Sequence, residues 1–349
     1  MLPAQNILST STLFALWVSI GANSLGAEIT PVVHTSETNT EEVLLHRVPA
    51  APGGTLKVRI EFGSIEVSTN STSEVVFDSL RRISMGNRKK EADFLEDRPI
   101  RISEEGDTLV FTAVRKDASG GQWNWNILRN RRTEAKLRIS VPPRFKLELD
   151  TAGGPISVAD VEGQVKADTS GGSLRFSRIR GPIHGDTSGG GIHVDDSVGE
   201  IHVDTSGGGI EVKGGGGSLH ADTSGGPISV RNFNGPATVD TSGGGIVLEK
   251  VGGALNGSTS GGGIQAELPS PVPGDVHLET SGGGITVRTA SDAKFHLDAE
   301  SSGGGVSSEL PVSSPEKRER DELRGQVNGG GPKVHLRTSG GGIRIKKTS

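Results

Sequence analysis

From Asp150 onward the apolar residues stand in columns with a fixed period. The segment DTSGGGI and its variants begin at Asp150, Asp168, Asp186, Asp204, Asp222, Asp240 and Ser258, each step being 18 residues; Glu279 and Glu300 follow at steps of 21, and Arg337 at a step of 37. With the aspartate as position 1, position 7 is apolar in every copy (Ile156, Leu174, Ile192 and so on to Ile343) and position 9 in most (Val158, Phe176, Val194, Val212). Apolar residues two apart, with polar ones between, have strand spacing. Position 16 (Val165, Ile183, Ile201, Leu219) and the small residues at position 18 mark a second strand. A fixed period of this length is the signature of a solenoid, with one coil per repeat.

The turns are glycine-rich. Positions 4 and 5 are glycine throughout, and Gly163, Gly181, Gly199, Gly217, Gly235 and Gly253 fill position 14. Proline at position 6 (Pro155, Pro227) fixes φ near −65° and lacks an N–H, so the left-handed conformation is expected at position 4 or 5. A hexapeptide solenoid would place apolar residues at positions 1, 7 and 13; positions 1 and 13 are polar or mixed, which excludes it. Parallel strands joined by crossovers favour a right-handed path. The expected fold is all-β: a parallel, right-handed β-solenoid (β-helix) of about ten coils of 18–21 residues.

Before Asp150 the period is lost but alternation persists. Leu56, Val58, Ile60 and Phe62 alternate, Phe62–Ser68 (FGSIEVS) repeats the later turn and strand, and Pro99–Val114 reads as a hairpin around Glu-Glu-Gly-Asp. Residues 44–149 are therefore expected to form an irregular β-domain that caps the solenoid of residues 150–349, because an end coil has to be covered. Arg81–Arg98 has room for a helical turn. Residues 1–27 carry an apolar run, Leu13–Ala22, followed by small residues, as in a secretory signal peptide; residues 28–43 read as a polar linker. No later apolar run is long enough to span a membrane. Residues 311–332, with the run EKRERDELR, interrupt one coil and are expected as a charged loop.

The succession of FGSIEV, a hairpin and LRISVPPRFKLELDTAGGPISVADVEGQVKADTSGG resembles the bacterial putative-adhesin family of unknown function, related to the head-GIN type. The resemblance runs from about Leu44 to Ile345. It implies an exported β-solenoid and carries no catalytic residues to this chain.

Composition narrows the chemistry. The chain has 53 glycines, no tyrosine and only 3% aromatic residues, which suits a narrow core. A net charge of −5 argues against nucleic acid as a partner, and the absence of cysteine excludes disulfides, thiolate metal sites and thiol chemistry. No serine-hydrolase, phosphate-loop or metalloprotease motif occurs, and GGGI is followed by no helix of the kind that binds dinucleotides, so no cofactor is expected.

Three features remain as candidates. Stacked aspartates at position 1 would repel, and Asx-type turns are the expected compensation. Position 17 shares the outward face with position 1, so His184/Asp186, His202/Asp204 and His220/Asp222 form an imidazole–carboxylate lattice whose donors suit zinc, copper or nickel. Trp123, Trp125 and Arg129 could stack on sugars or anionic polymers, or could cover the open end of the solenoid. The functional expectation is a non-enzymatic, exported, adhesin-like binding or scaffold protein of the cell envelope, with a surface glycan or envelope polymer as partner. The alternatives are a polysaccharide-active β-helix enzyme and a metal-binding surface protein.

Overall fold

The computed structural model describes residues 30–36, 39–116 and 132–348. They form two sheets of 15 strands each, with one helix, Arg88–Glu96, at the N-terminal end. Each coil gives one short strand to each sheet. Val165–Thr169 belongs to the first, called here the aspartate sheet, and Leu174–Ser177 to the second, the opposite sheet. Strands of successive coils pair in parallel and without slip: Asp168 lies between Asp150 and Asp186, and Leu174 between Ile156 and Ile192.

Alternation decides what goes inside. In Val165–Thr169, positions 16, 18 and 2 are buried while 17 and 1 face outward; in Ile156–Ala159, positions 7 and 9 are buried. The expected register is thus the observed one. A further inward column, not evident in the sequence, lies at position 12 and reads Val161, Ile179, Ser197, Gly215, Phe233 and Val251. Its sizes vary, and polar Ser197 is fully buried. The Ser197 hydroxyl accepts from the Ile179 N–H (3.1 Å) and donates to the Asp195 carbonyl (3.0 Å), so no polar group is stranded there. One continuous core runs from Leu44 to Ile345.

The bends differ from expectation. Left-handed backbone is found at position 11, mostly on non-glycine residues such as Asp160 (φ 65°), Arg178 (54°) and Asn232 (53°), and not at position 4 or 5. Glycine at position 5 answers a different demand. A Cβ on Gly208 would lie 2.0 Å from the carbonyl oxygen of Gly190 in the preceding coil, and one on Gly226 would lie 2.1 Å from that of Gly208. Stacked backbones approach too closely there for any side chain.

Position 2 explains the approach. The Thr205 hydroxyl donates to the Gly190 carbonyl in the preceding coil (2.8 Å) and accepts from the Gly208 N–H in its own (3.3 Å). Thr169, Thr187, Thr223, Thr241 and Thr259 repeat the pair of bonds. The threonines therefore form a ladder through glycine backbone, and each bond ties one coil to the next.

Both ends depart from a simple stack. At the N-terminal end, Thr55–Ile60 and Ser64–Thr69 form a true coil that stacks on the one containing Asp150; Ile65 pairs with Ile156. The described residues between 44 and 149 are thus continuous with the solenoid in both sheets. The Arg101–Glu105/Thr108–Ala113 hairpin continues one sheet, and antiparallel Glu74–Ser84 and Thr40–Pro49 continue the other. Val32–Thr35 and Thr40–Pro49 place strands in the segment expected as a polar linker. The helix is held by a buried polar cluster, in which Arg81 pairs with Glu42, Arg98 with Glu61, and Thr40 donates to Glu91.

At the C-terminal end the order of coils is not the order of the sequence. Lys333–Thr338 and Ile343–Lys347 insert between the coil of Val276–Thr280/Ile285–Thr289 and that of Phe295–Ser301/Val306–Ser308. Residues 311–332, expected as a loop, instead contribute two antiparallel strands, Val312–Arg318 and Glu322–Val327, which extend the aspartate sheet outward.

Candidate functional site

The most regular exposed feature is the outer face of the aspartate sheet and the bend that follows it. Positions 1, 2 and 3 of successive coils line an open groove of about 850 Å³ that runs from Asp150 to Ser281. At about 4.8 Å per coil its length is roughly 34 Å. Threonine forms the floor, buried and committed to the backbone; aspartate and serine form the walls.

Four of the aspartates, Asp168, Asp186, Asp204 and Asp222, pair along their own strand. No aspartate of position 1 accepts a bend N–H among the described residues, so the expected Asx turn is not the compensation. Instead Lys166 lies 3.7 Å from Asp168, and His184, His202 and His220 place Nε2 at 3.1, 2.9 and 2.7 Å from Asp186, Asp204 and Asp222. The Ser258 hydroxyl donates to Asp240 where the acidic run ends. Basic residues close the column: Arg59 sits across from Asp150, 3.5 Å from its carboxylate, and Arg337 lies between Glu279 and Glu300.

Ionisation is resisted at three of these aspartates, Asp150, Asp168 and Asp222. Burial pushes the Asp150 carboxyl above the ordinary carboxylate range, against the pull of Arg59 and Lys166. Asp168 is raised by burial and by the neighbouring Asp186 and Asp150, against Lys166. Asp222 is raised by burial and by Asp240 and Asp204, against His220 and His202. Burial is the larger cause in all three, and for Asp168 and Asp222 the neighbouring like charges add to it.

The three predicted histidines do come together. Their rings stack, with centroids 5.1 Å apart for His184–His202 and 4.7 Å for His202–His220. Stacking makes the imidazole nitrogens run parallel, each aimed at its own carboxylate. Among the described residues no three metal-ligating groups converge on a point that would hold an ion. A second stack, His277 on His335 at 4.9 Å, was not foreseen. Both residues stand two before the first position of the next coil, as position 17 does in the 18-residue coils, but only the insertion of the last coil makes them neighbours. Trp123, Trp125 and Arg129 lie outside the described residues.

Chemically, the groove presents carboxylates and hydroxyls at a constant repeat, and one coil offers what the next one offers. Among the described residues no helix is long and apolar enough to cross a membrane.

No curated protein matches the chain in sequence. Among solved structures it is similar to a putative cell adhesion protein from Clostridium sporogenes, with 13% identity and a TM-score of 0.24, over 88% of this chain and 100% of that one. It is also similar to a putative adhesin from Bacteroides fragilis, with 12% identity and a TM-score of 0.27, over 88% of this chain and 97% of that one. Residues 62–346 match the Toastrack DUF4097 family, and the chain belongs to that family.

Proposed function

We propose that this protein is an exported, non-enzymatic binding or scaffold protein of the cell envelope, adhesin-like in role, with an extended glycan or envelope polymer as its partner. The observation that carries this reading is the translational sameness of the groove. Asp-Thr-Ser recurs coil after coil, with Asp186, Asp204 and Asp222 each tied to a histidine of its own strand, so what the surface offers is length and periodicity. Catalysis needs unlike groups in defined roles around one reacting atom, and a nucleophile needs its own base. A periodic polymer is the natural complement to a periodic face.

The test is binding of the mature protein to a glycan array and to whole cells, alongside a turnover assay on the bound glycans. Binding without turnover is expected; hydrolysis or elimination of any glycan overturns the reading. Changing both Trp123 and Trp125 to Ala separates recognition from capping at Gly121–Arg132. Lost binding with unchanged melting supports recognition, and a large loss of stability supports the cap.

The row of imidazoles favours a second reading, in which His184, His202 and His220 with Asp186, Asp204 and Asp222 hold zinc or copper. The rings would have to turn away from their carboxylates to do so. Added zinc should then raise the melting temperature, and His202→Ala should abolish the rise.

A further inference from the structure

The outer face of the opposite sheet carries charges at positions 8 and 10, and over most of its length they pair across strands. Arg175 reaches Asp195, His193 reaches Glu211, and Arg231 lies between Glu211 and Glu249. The pattern breaks at the C-terminal end. Insertion of the last coil sets Lys346 directly beside Arg288, and Arg344 beside Thr286. Arg344 and Lys346 are two residues apart on one strand and so point the same way, roughly 7 Å apart. Neither arginine nor the lysine forms an ion pair with any described residue. The two flanking acids form no ion pair with them: Glu267 lies across from Arg288 on its other side, and Glu309, beside Lys346, accepts the backbone N–H of Lys347 (3.0 Å). Beyond Arg344 lies only the edge strand Val306–Ser308, which contributes Ser307 to this face, with Glu309 following it beside Lys346, so the three cations stand near the end of the sheet.

Like charges placed directly across a ladder destabilise it. Here they stand together without ion pairs in a chain whose net charge is −5, whereas Arg175 and Arg231 on this face are paired with carboxylates. We propose that Arg288, Arg344 and Lys346 form a binding site for the oxyanion groups of an anionic envelope glycan, rich in phosphate or uronate. Two planar guanidinium forks beside a point-charged ammonium match oxyanions repeated along a polymer. The site rests on the reading of the protein as a polymer-binding surface and gives it a chemistry on a face other than the groove. The acidic groove would repel such a polymer, so this patch decides where on the molecule it can lie.

The experiment measures retention of the full mature chain on immobilised polygalacturonate, on poly(glycerol phosphate) and on neutral dextran. Retention on one or both acidic polymers and not on dextran is expected, weakening with salt; the arm that binds more tightly identifies uronate or phosphate. The variant R288Q/R344Q/K346Q should bind about tenfold more weakly or worse, with its circular dichroism and melting unchanged or slightly improved. Lys213→Gln, on the same face but away from the patch, should bind as the parent does. Should the triple variant fail to fold, Arg344→Gln alone, and its partial rescue by Arg344→Lys, carry the test.

The proposal falls if the folded triple variant binds like the parent, or if a DNA oligomer of equal charge density is held as tightly as the glycans. If the acidic polymers are ignored while neutral glycans bind, this site is wrong and the binding-protein reading stands. If no glycan and no cell surface is bound, both fall.

Discussion

The threonine at position 2 and the glycine at position 5 work as one device, and their substitutions should fail in different ways. Thr205→Val keeps the shape but leaves the Gly190 carbonyl and the Gly208 N–H without their partner. Such a loss costs about 1–3 kcal/mol. Gly208→Ala puts a methyl group 2.0 Å from a backbone oxygen that cannot swing aside. It should cost about 3 kcal/mol or more by prising two coils apart. Thermal melts of the two variants should rank alanine as the worse, and equal effects would mean that the coils relax more easily than their backbone bonds suggest. Asp222 gives a prediction with a sign. Its folded-state pKa lies above the unfolded value because burial disfavours the charge. The folded state therefore holds the proton more tightly, and ionisation works against folding. The penalty is absent below about pH 3.9, the unfolded value. It grows as pH rises through the folded value. Asp222→Asn should accordingly stabilise the protein at pH 7 and do little at pH 3; a variant less stable at pH 7 would show that the His220 pair outweighs desolvation.

At the scale of the strand, Ile210→Asp sets a carboxylate where 2% of the side chain is exposed and no cation is near. An unpaired charge in that core should unfold or fray the central coils, seen as lost hydrogen-exchange protection spreading in both directions from Ile210. A melt like the parent's would place position 7 outside. Much of this element was legible from the chain alone. A period of 18 combined with alternation fixes which residues of each strand point inward, as Ile210, Val212 and Thr205 show. Position 12 escaped because its column runs from Gly215 to Phe233 and includes a serine, so no single property marks it. The left-handed residue was misplaced for a related reason: glycine at position 5 looks like a turn residue but is there for contact between coils, while Asp160, Arg178 and Asn232 take the strained conformation. The hairpin Val312–Val327 was hidden by its charges, which suit a solvated loop as well as an outermost strand. Of the site, the lattice of His184, His202 and His220 with their aspartates could be read from spacing, whereas the pairing of His277 with His335 and of Arg288 with Lys346 depends on topology.

For the molecule as a whole, the insertion of the last coil is what spacing could not reveal. Val276, Val334 and Leu297 occupy equivalent positions, as do Ile285, Ile343 and Val306, so either order of stacking satisfies the register. A chain ending at Val327 should therefore still fold, with Phe295–Ser308 seated one step lower on Val276–Thr289. Exchange protection over 295–308 would persist at a reduced stability, since nearest-neighbour contacts dominate in a solenoid. Protection lost throughout 290–327 would instead make the inserted coil indispensable. The observed order also has a bearing on how the chain matures in time. Residues 333–347 are synthesised after 295–327 yet occupy an inner slot, so growth of the stack from the amino end cannot run straight to completion. The outer coil must wait for its inner neighbour, or settle early and be lifted to admit it. The rate-limiting step of assembly then falls at the carboxy-terminal end, after the rest has formed, and a chain halted short of Lys333 would carry a different terminal surface, without the cluster of Arg288, Arg344 and Lys346.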